Sequence, residues 1–327
     1  MFSTLLLLLL PFVVFGALPL YEEITQWETF LQTHGKTYST AEEKAKRFDV
    51  FVENLRLARE RSRVEEGSAL FGWNQFSDLT VEEFKRSYLM NPNVLMQLKP
   101  NSTLPASPLS YGNADIPAAF DWRDHHAVSE VKNQGSCGSC WAFSATGNIE
   151  SVYAVKKGVL LSLSEQQMVD CSRNLRGCGG GWPITALRDV KQMGGIESEA
   201  AYSYKARNGN CKFNKAKKAL NINDAVSLSS NEHKIAQFLV KHGAVSVAIN
   251  ARDSIMNYRG GIVKKSNCNT RPDHAVLLVG YGNENGNPYW IVKNSWGPSW
   301  GERGYFRIHR GGNTCGIADN AVSAIVN

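Results

Sequence analysis

Eight residues, Gln134-Gly135-Ser136-Cys137-Gly138-Ser139-Cys140-Trp141, constrain this chain more than any other stretch. After Ser139, Ala142, Phe143, Ala145, Ile149, Val152 and Tyr153 recur at three- and four-residue spacing, the apolar stripe of a helix. A basic last turn, Lys156-Lys157, and then Gly158 stop it. Cys140 therefore falls in the helix's first turn. There the unpaired N–H groups and the positive end of the macrodipole favour a thiolate over a thiol. An anionic sulfur serves as a nucleophile or as a metal ligand. Zinc needs a second Cys or His pair at ligand spacing, and Cys171, Cys178, Cys211, Cys268 and Cys315 stand far apart. A thioredoxin-like redox pair would follow the first strand of a small βαβ domain, and none precedes it. No metal and no cofactor is expected. Cys137 is read as a disulfide partner and Cys140 as a free thiol, in keeping with the odd total of seven cysteines.

Disulfides require an oxidising compartment, and the chain begins with an address to one. Leu5 to Leu10 and Phe12 to Phe15 form an apolar run that is too short and too Pro-interrupted to span a membrane. It ends near Gly16-Ala17, so residues 1–17 are read as a signal peptide. No later stretch is apolar for long enough to cross a bilayer, and a product of the secretory pathway with no stable membrane insertion is expected.

At 327 residues the chain is long for one domain. Residues 18–112 read as a separate unit. Ile24, Trp27, Phe30 and Leu31 make an amphipathic stripe stopped by Gly35. A longer helix runs from about Thr40 to Glu66 and carries Glu43, Arg47, Phe51 and Asn54 near one face. The alternation in Gly72-Trp73-Asn74-Gln75-Phe76-Ser77-Asp78 predicts a short strand. Asp78-Leu79-Thr80 with Glu83 predicts a cap and a brief helix. Residues 91–113 are rich in Pro, Ser and Asn, which predicts a linker, and it holds the one standard glycosylation acceptor, Asn101.

Residues 113–327 form the second unit. It carries 25 basic against 17 acidic residues, and the first 112 carry 11 against 13. With no nucleic-acid motif or arginine-rich tract, the imbalance points to docking of the acidic unit on the basic one rather than to nucleic acid. Helical signals fill the first half of this unit, with another helix expected from Leu163 to Asp170. The run Gly179-Gly180-Gly181 admits a foreign backbone as an extra strand or forms a flexible loop, and Trp182-Pro183 then break regular structure. In the second half, 245–249, 274–281, 288–293 and 305–308 read as strands, with a turn over 282–286. The class is α+β in two lobes. Such lobes let a strand start, His274, meet the helix start at Cys140 across a cleft. An amide at Asn294 is placed to orient that imidazole, and Trp296 to shield the bond from water. The other six histidines are expected at the surface.

Cys137-Gly138-Ser139-Cys140-Trp141 with His274 and Asn294 downstream resembles the signature of papain-like cysteine proteases. So do Asp121-Trp122-Arg123, Gln134, Ser295-Trp296-Gly297 and Trp300-Gly301-Glu302. The first unit resembles that family's inhibitory propeptide. Glu43, Arg47, Phe51 and Asn54 match one of its motifs, and Gly72, Asn74, Phe76 and Asp78 the other. At two later positions of the helix motif, where cathepsin L-like members carry Ile and Asn, this chain has Ala58 and Ser62, and the Ala is similar to the cathepsin F-like branch. The short propeptide is similar to that of the flatworm enzymes.

The resemblance implies a helical left lobe facing an antiparallel, β-barrel-like right lobe. It implies an endopeptidase made as a zymogen, with Cys140 as nucleophile, His274 as its imidazolium partner, and Asn294 orienting the ring. Gln134 and the Cys140 N–H would hold the oxyanion. Gly180, Gly181, Trp182, Pro183, Ala248, Pro272, Asp273, Trp296 and Asn320 would bind substrate, with an apolar preference at P2. It also implies the disulfides Cys137–Cys178, Cys171–Cys211 and Cys268–Cys315. Protein and peptide substrates, the chain's own propeptide and cystatin-like inhibitors are the implied partners of a monomer, in a lysosome-like compartment or outside the cell. An exopeptidase would need a cleft-blocking insertion, and no His-containing one lies between Cys171 and Trp182. A silent binding homologue would be expected to have lost the thiol. The propeptide linker would cross the cleft opposite to substrate. Acid would loosen its docking by protonating carboxylates such as Asp78 and Glu43.

Overall fold

The computed structural model describes residues 17–65, 67–98, 115–251, 255–264, 268 and 271–327, with side chains from residue 21 onward. Asn101, most of the expected leader and most of the expected linker lie outside the described residues.

In the N-terminal unit, α1 (Ala17–His34) stops at Gly35, whose φ of 57° lies in the left-handed region. Helix α2 (Ala41–Val64) starts where the Thr40 hydroxyl accepts the Glu43 N–H. Trp27, Phe30, Phe51 and Leu55 form a small core between them. A two-residue strand, β1 (Leu70–Phe71), precedes α3 (Val81–Tyr88). Thr80 and Glu83 close a reciprocal capping box on α3.

The stretch Gly72–Asp78 is not a strand. Side chains claim its backbone: the Asn74 N–H donates to Ser77 Oγ, and the Phe76 N–H to Asn74 Oδ1. Asn54 Nδ2 donates to the carbonyls of Ser77 (2.9 Å) and Leu79 (2.8 Å), fixing a turn. The linker also differs from expectation where it begins. Asn91 caps and Pro92 opens a short helix, α4 (Pro92–Gln97), which buries Leu95.

The C-terminal unit starts with β2 (Phe120–Asp121) and then α5 (Cys140–Lys157), whose Gly158 cap is left-handed. Helix α6 (Glu165–Cys171) is capped by Ser164. Helix α7 (Pro183–Met193) begins at the very proline expected to break structure, because a first-turn proline lacks only an N–H that would have no partner anyway. Strands β3 (Ile196–Glu197) and β4 (Lys218–Leu220) pair apart from the main sheet.

The main sheet follows: β5 (Asp224–Ser227), helix α8 (Glu232–His242), β6 (Val245–Ile249), β7 (Tyr258–Gly260), β8 (Ile262–Val263), β9 (His274–Glu284), β10 (Asn287–Lys293), β11 (Tyr305–His309) and β12 (Val322–Ile325). Its order is β5-β12-β6-β9-β10-β11-β8, with β2 added on β9 and β7 pairing instead with β1 of the N-terminal unit. All pairings are antiparallel except β11–β8. The three disulfides are Cys137–Cys178, Cys171–Cys211 and Cys268–Cys315, with Cys140 the free thiol.

The carboxylates expected to dock the two units, Asp78 and Glu43, are engaged within the N-terminal unit. The Asp78 carboxylate binds Lys36 (2.8 Å) and the Tyr38 hydroxyl (2.9 Å). Arg47 joins Glu43 (2.7 Å) and Glu83 (2.6 Å). All of these groups lie within the N-terminal unit, so its carboxylates hold its own turns and helices together. Docking uses backbone groups, amides and rings: β1 on β7, the Gly72 N–H on the Asn257 carbonyl, Asn74 Nδ2 on the Met256 carbonyl, and Gln75 Nε2 on the Trp296 carbonyl. Charged side chains add to it: Arg61 Nη1 donates to Asn257 Oδ1 (3.0 Å), Glu65 Oε1 accepts the Lys264 N–H (2.8 Å), and Arg259 lies over the Trp73 ring. Phe76 and Phe84 meet the Trp296 ring edge-on.

Asn54→Leu strands two carbonyls that only this amide serves, and the expected cost is about 1–3 kcal/mol. Hydrogen exchange across residues 41–84 should accelerate, and unaltered protection would mean that other contacts hold the turn.

Candidate active site

Cys140 and His274 reach the cleft from opposite lobes. Cys140 is the first residue of α5, and His274 is the first of β9, paired with Ile249 of β6. The backbone N–H of Ala275, next to His274, lies against the Cys140 sulfur together with that of Trp141. The His274 Nε2 meets Asn294 Oδ1 at 2.8 Å, leaving Nδ1 buried without a partner. Asn294 Oδ1 also accepts the Ser295 N–H. Trp296 stacks on the imidazole at 4.7 Å between ring centroids. The structure thus brings Cys140, His274, Asn294 and Trp296 together. Gln134 joins them through Ser295: its N–H donates to the Ser295 carbonyl, and its Oε1 accepts the Ser295 hydroxyl.

The site is covered. The Gln134 amide donates to the carbonyls of Cys137 (2.8 Å) and of Tyr88 (2.9 Å), the latter from the N-terminal unit. The Met90 N–H donates to the Asp273 carbonyl (2.7 Å), and the Asn91 N–H to the Gly179 carbonyl (3.3 Å). Met90 and Leu95 share a buried cluster with Cys140, Trp141, Trp182, Ala248 and Ala275, and Trp182 Nε1 donates to the Leu95 carbonyl. Gly180, at φ 122°, lies where a Cβ would stand 3.2 Å from that of Met90.

Other expected residues are placed differently. Gly181 packs behind the site on Trp141 and Leu175, and the backbone contact goes to Gly179, which sequence reasoning had only as part of the run. Pro183 is buried as the first residue of α7, Pro272 is half-buried beside Asp273, and Asn320 is half-buried in the turn before β12. Tyr204 was missed. Its hydroxyl donates to the Gln134 carbonyl (2.8 Å) and bonds Ser139 Oγ (2.6 Å), and no local pattern could announce a contact made across such a chain separation.

Covering reverses the protonation expected for the sulfur. Burial pushes the Cys140 thiol up to about 12 against the pull of the Ala275 and Trp141 N–H groups. Burial likewise pushes His274 down to about 4, against the Asn294 hydrogen bond. Burial in this covered form thus opposes charge on either group, because neither helix-terminal N–H groups nor one amide replace lost water.

Residues 116–325 match the model of the papain family cysteine protease, and residues 27–84 that of the cathepsin propeptide inhibitor domain. Cathepsin F of Mus musculus is 44% identical over 304 residues, covering 92% of this chain and 64% of that protein. Cathepsin F of Drosophila melanogaster is 42% identical over 303 residues, covering 89% and 48%. The chain therefore spans between about half and two thirds of the length of these two relatives. A solved structure of digestive procathepsin L 3 from Tenebrio molitor larval midgut is similar with a TM-score of 0.80 and 37% identity, covering 93% of this chain and 99% of that one.

Met90 is buried in the same cluster as Cys140, so Met90→Asp, which places a charge there, is expected to dislodge residues 88–95. Labelling of Cys140 by a small disulfide reagent should then speed up by about tenfold or more. An unchanged rate would show that this segment does not control access.

Proposed function

Because the chain belongs to the papain family of cysteine proteases and carries a cathepsin propeptide inhibitor domain ahead of the peptidase domain, we propose that it is a cysteine endopeptidase made as a zymogen. Residues 18–112 are its inhibitory propeptide and residues 113–327 its catalytic unit. The observation that carries this reading is the Gln134 amide. It already holds a peptide carbonyl, that of Tyr88, beside Cys140.

When the propeptide leaves, water returns to the cleft and the thiol proton passes to His274. The Cys140 sulfur then attacks the carbonyl carbon of the scissile peptide bond. Negative charge collects on the carbonyl oxygen, where Gln134 Nε2 and the Cys140 N–H donate to it. Each such donor is worth roughly 10²–10³ in rate. The tetrahedral species collapses, the C–N bond breaks, and His274 gives its proton to the departing amine. His274 next takes a proton from water, which attacks the thioester and releases the acid. Asn294 Oδ1 holds the ring by Nε2, which leaves Nδ1 to face the sulfur. Trp182 and Ala248, buried in one cluster with Cys140 and filled there by Leu95, support an apolar P2 residue, and by resemblance Pro183, Pro272 and Asn320 would complete that pocket. The covering segment runs opposite to substrate, so it fills the site without presenting a bond for cleavage. Secretion or delivery to an acidic, lysosome-like compartment accords with the three disulfides, and among the described residues no helix is long and apolar enough to cross a membrane.

Matured protein should cleave an internally quenched peptide with Leu at P2 far faster than one with Arg there, and should be labelled by a thiol-reactive epoxide. Cys140→Ser should abolish labelling, and His274→Ala should cost at least about 10³ in kcat/KM. Labelling that survives Cys140→Ser would move the nucleophile elsewhere.

Acid release is better placed at His34 than at the carboxylates. Its ring lies between Phe30 and Trp73, and its Nε2 is buried without a partner. Burial first, and then Lys36 and Arg259 of the catalytic unit, hold its pKa below the usual value, with Asp78 opposing. A base whose pKa is lowered by folding is neutral in the folded unit. The stability of the N-terminal unit, on which its docking depends, is therefore complete with respect to His34 above the free value, about 6.5, and falls as pH drops below it. Glu83 behaves oppositely. The Arg47 hydrogen bond holds it down to about 2, so its contribution is present above about 4.5 and is lost only toward pH 2. The precursor His34→Phe should need a lower pH to mature than the unsubstituted one, read as processing rate between pH 4 and 7. An identical pH profile would place the acid sensor elsewhere.

A further inference from the structure

Behind the catalytic residues lies a buried cluster of two cations and two carboxylates. Lys132 Nζ donates to Glu165 Oε1 (2.8 Å), Glu150 Oε1 (3.2 Å) and the Leu163 carbonyl (2.9 Å). Lys293 Nζ donates to the Ser129 hydroxyl (2.9 Å), which donates to Glu150 Oε2. Thr146 Oγ1 donates to Glu165 Oε1 (2.6 Å). Glu150 and Glu165 are each 1% exposed. Beside this cluster is a cavity of about 20 Å³ whose walls include Glu165, Glu150, Lys132, Lys293 and Asn294. That volume suits a single water molecule, provided polar partners are present.

Two partners are present, and their chemistry is complementary. Asn294 Nδ2 is a buried donor with no acceptor, and Glu165 Oε2 a buried acceptor with no donor. Both residues wall the same cavity. An amide donor and a carboxylate oxygen left bare in one polar cavity would each carry the full penalty of lost hydration, and one bridging water relieves both.

We propose that one buried water links Asn294 Nδ2 to Glu165 Oε2 and so makes Glu165 a positioning residue for catalysis. The Asn294 amide has two faces. If it flipped, Nδ2 would point at His274 Nε2 and at the Ser295 N–H, and both hydrogen bonds to Oδ1 would be lost. Anchoring Nδ2 on the far side opposes that flip and holds the ring with Nδ1 toward the sulfur. Glu165 in turn is held by Lys132 and Thr146, so its carboxylate cannot swing away. This role rests on the reading of Asn294 as the residue that orients His274.

Two measurements test it, and both keep the full chain. A high-resolution crystal structure of the Cys140→Ala precursor should show one water peak within hydrogen-bond distance of Asn294 Nδ2 and Glu165 Oε2. A dry cavity, or direct contact between those two atoms, overturns the proposal whether or not the protein is a protease. In the matured enzyme, Glu165→Leu should lower kcat by about thirtyfold with KM within about twofold. Glu165→Gln, which still offers an acceptor, should lose only about threefold. Equal losses in the two variants, or a change confined to KM, would overturn the positioning role. If Glu165→Leu does not fold, the water peak decides alone. Activity that persists in Cys140→Ser would instead sink the nucleophile assignment and leave the water link standing.

Discussion

Everything at this site depends on how α5 is bolted to the sheet. The helix is buried along most of its length, and Ser144, Asn148 and Ser151 turn their side chains to the sheet and the residues that lead into it. Ser144 Oγ reaches the Val276 carbonyl (2.6 Å) and Ser246 Oγ. Asn148 donates to the Ala244 carbonyl and accepts the Ala324 N–H, and Ser151 accepts the Ala244 N–H. Apolar packing alone tolerates a small slide of helix over sheet, whereas a misaligned buried hydrogen bond costs its full desolvation. These bonds tie α5 to β6, β9 and β12 in a single register. Cys140, one turn before Ser144, and His274, two residues before Val276, therefore inherit their relative position from polar contacts that take no part in the reaction.

The cover on the cleft works by the same economy of backbone groups. Tyr88, Met90 and Asn91 satisfy Gln134, Asp273 and Gly179 with atoms that any peptide possesses, and Leu95 adds buried area on Trp182. Such contacts do not depend on ionic strength, and their strength grows with exclusion of water. They also explain why the opposite net charges of the two units matter less than the counts suggest. The Asp78, Glu43 and Glu83 carboxylates already have partners within their own unit. What reaches across is mostly ring on ring and amide on carbonyl, with Arg61, Glu65 and Arg259 the charged side chains that join in.

Much of the site was legible because its signals are local and chemical: a Cys-x-x-Cys at a helix start, a histidine opening a strand, an asparagine closing one, and an odd thiol count. The helices at 17–34, 41–64 and 140–157 were legible from periodicity. Three features were not, each for a physical reason. The Gly72–Asp78 alternation looked like a strand, but Asn54, Asn74 and Ser77 side chains take the backbone groups that a strand partner would need. Pro183 looked like a breaker and is an initiator, since position within a helix decides which it is. Asp78 looked like a docking charge, but its partners Lys36 and Tyr38 lie some forty residues away in the chain, on its own unit. His34 was assigned to the surface because a lone histidine in a polar helix end carries no sign of the Trp73 ring folded against it.

The buried charge cluster shows why so many separate segments stay aligned. Lys132 lies two residues before Gln134, Lys293 one before Asn294, Glu150 on the helix of Cys140, and Glu165 at the start of α6. The Gly297 N–H returns to the Lys132 carbonyl, and Asn133 bridges Trp296. A displacement of the loop carrying Gln134 would thus pull on Lys132, and through Glu150 and Ser129 on Lys293 and the neighbouring Asn294 amide. Burial pushes the Lys293 ammonium down to about 8 and raises the Glu165 carboxyl, so neither charge is comfortable alone. Removing one partner from such a set typically costs 3–5 kcal/mol, although the intact set contributes little net stability. A well-packed apolar cluster would serve stability as well, but it would let the segments shift. The ions fix direction as well as distance, and the proposed reaction, which needs a sulfur, an imidazole, an amide and an oxyanion donor in one geometry, requires both.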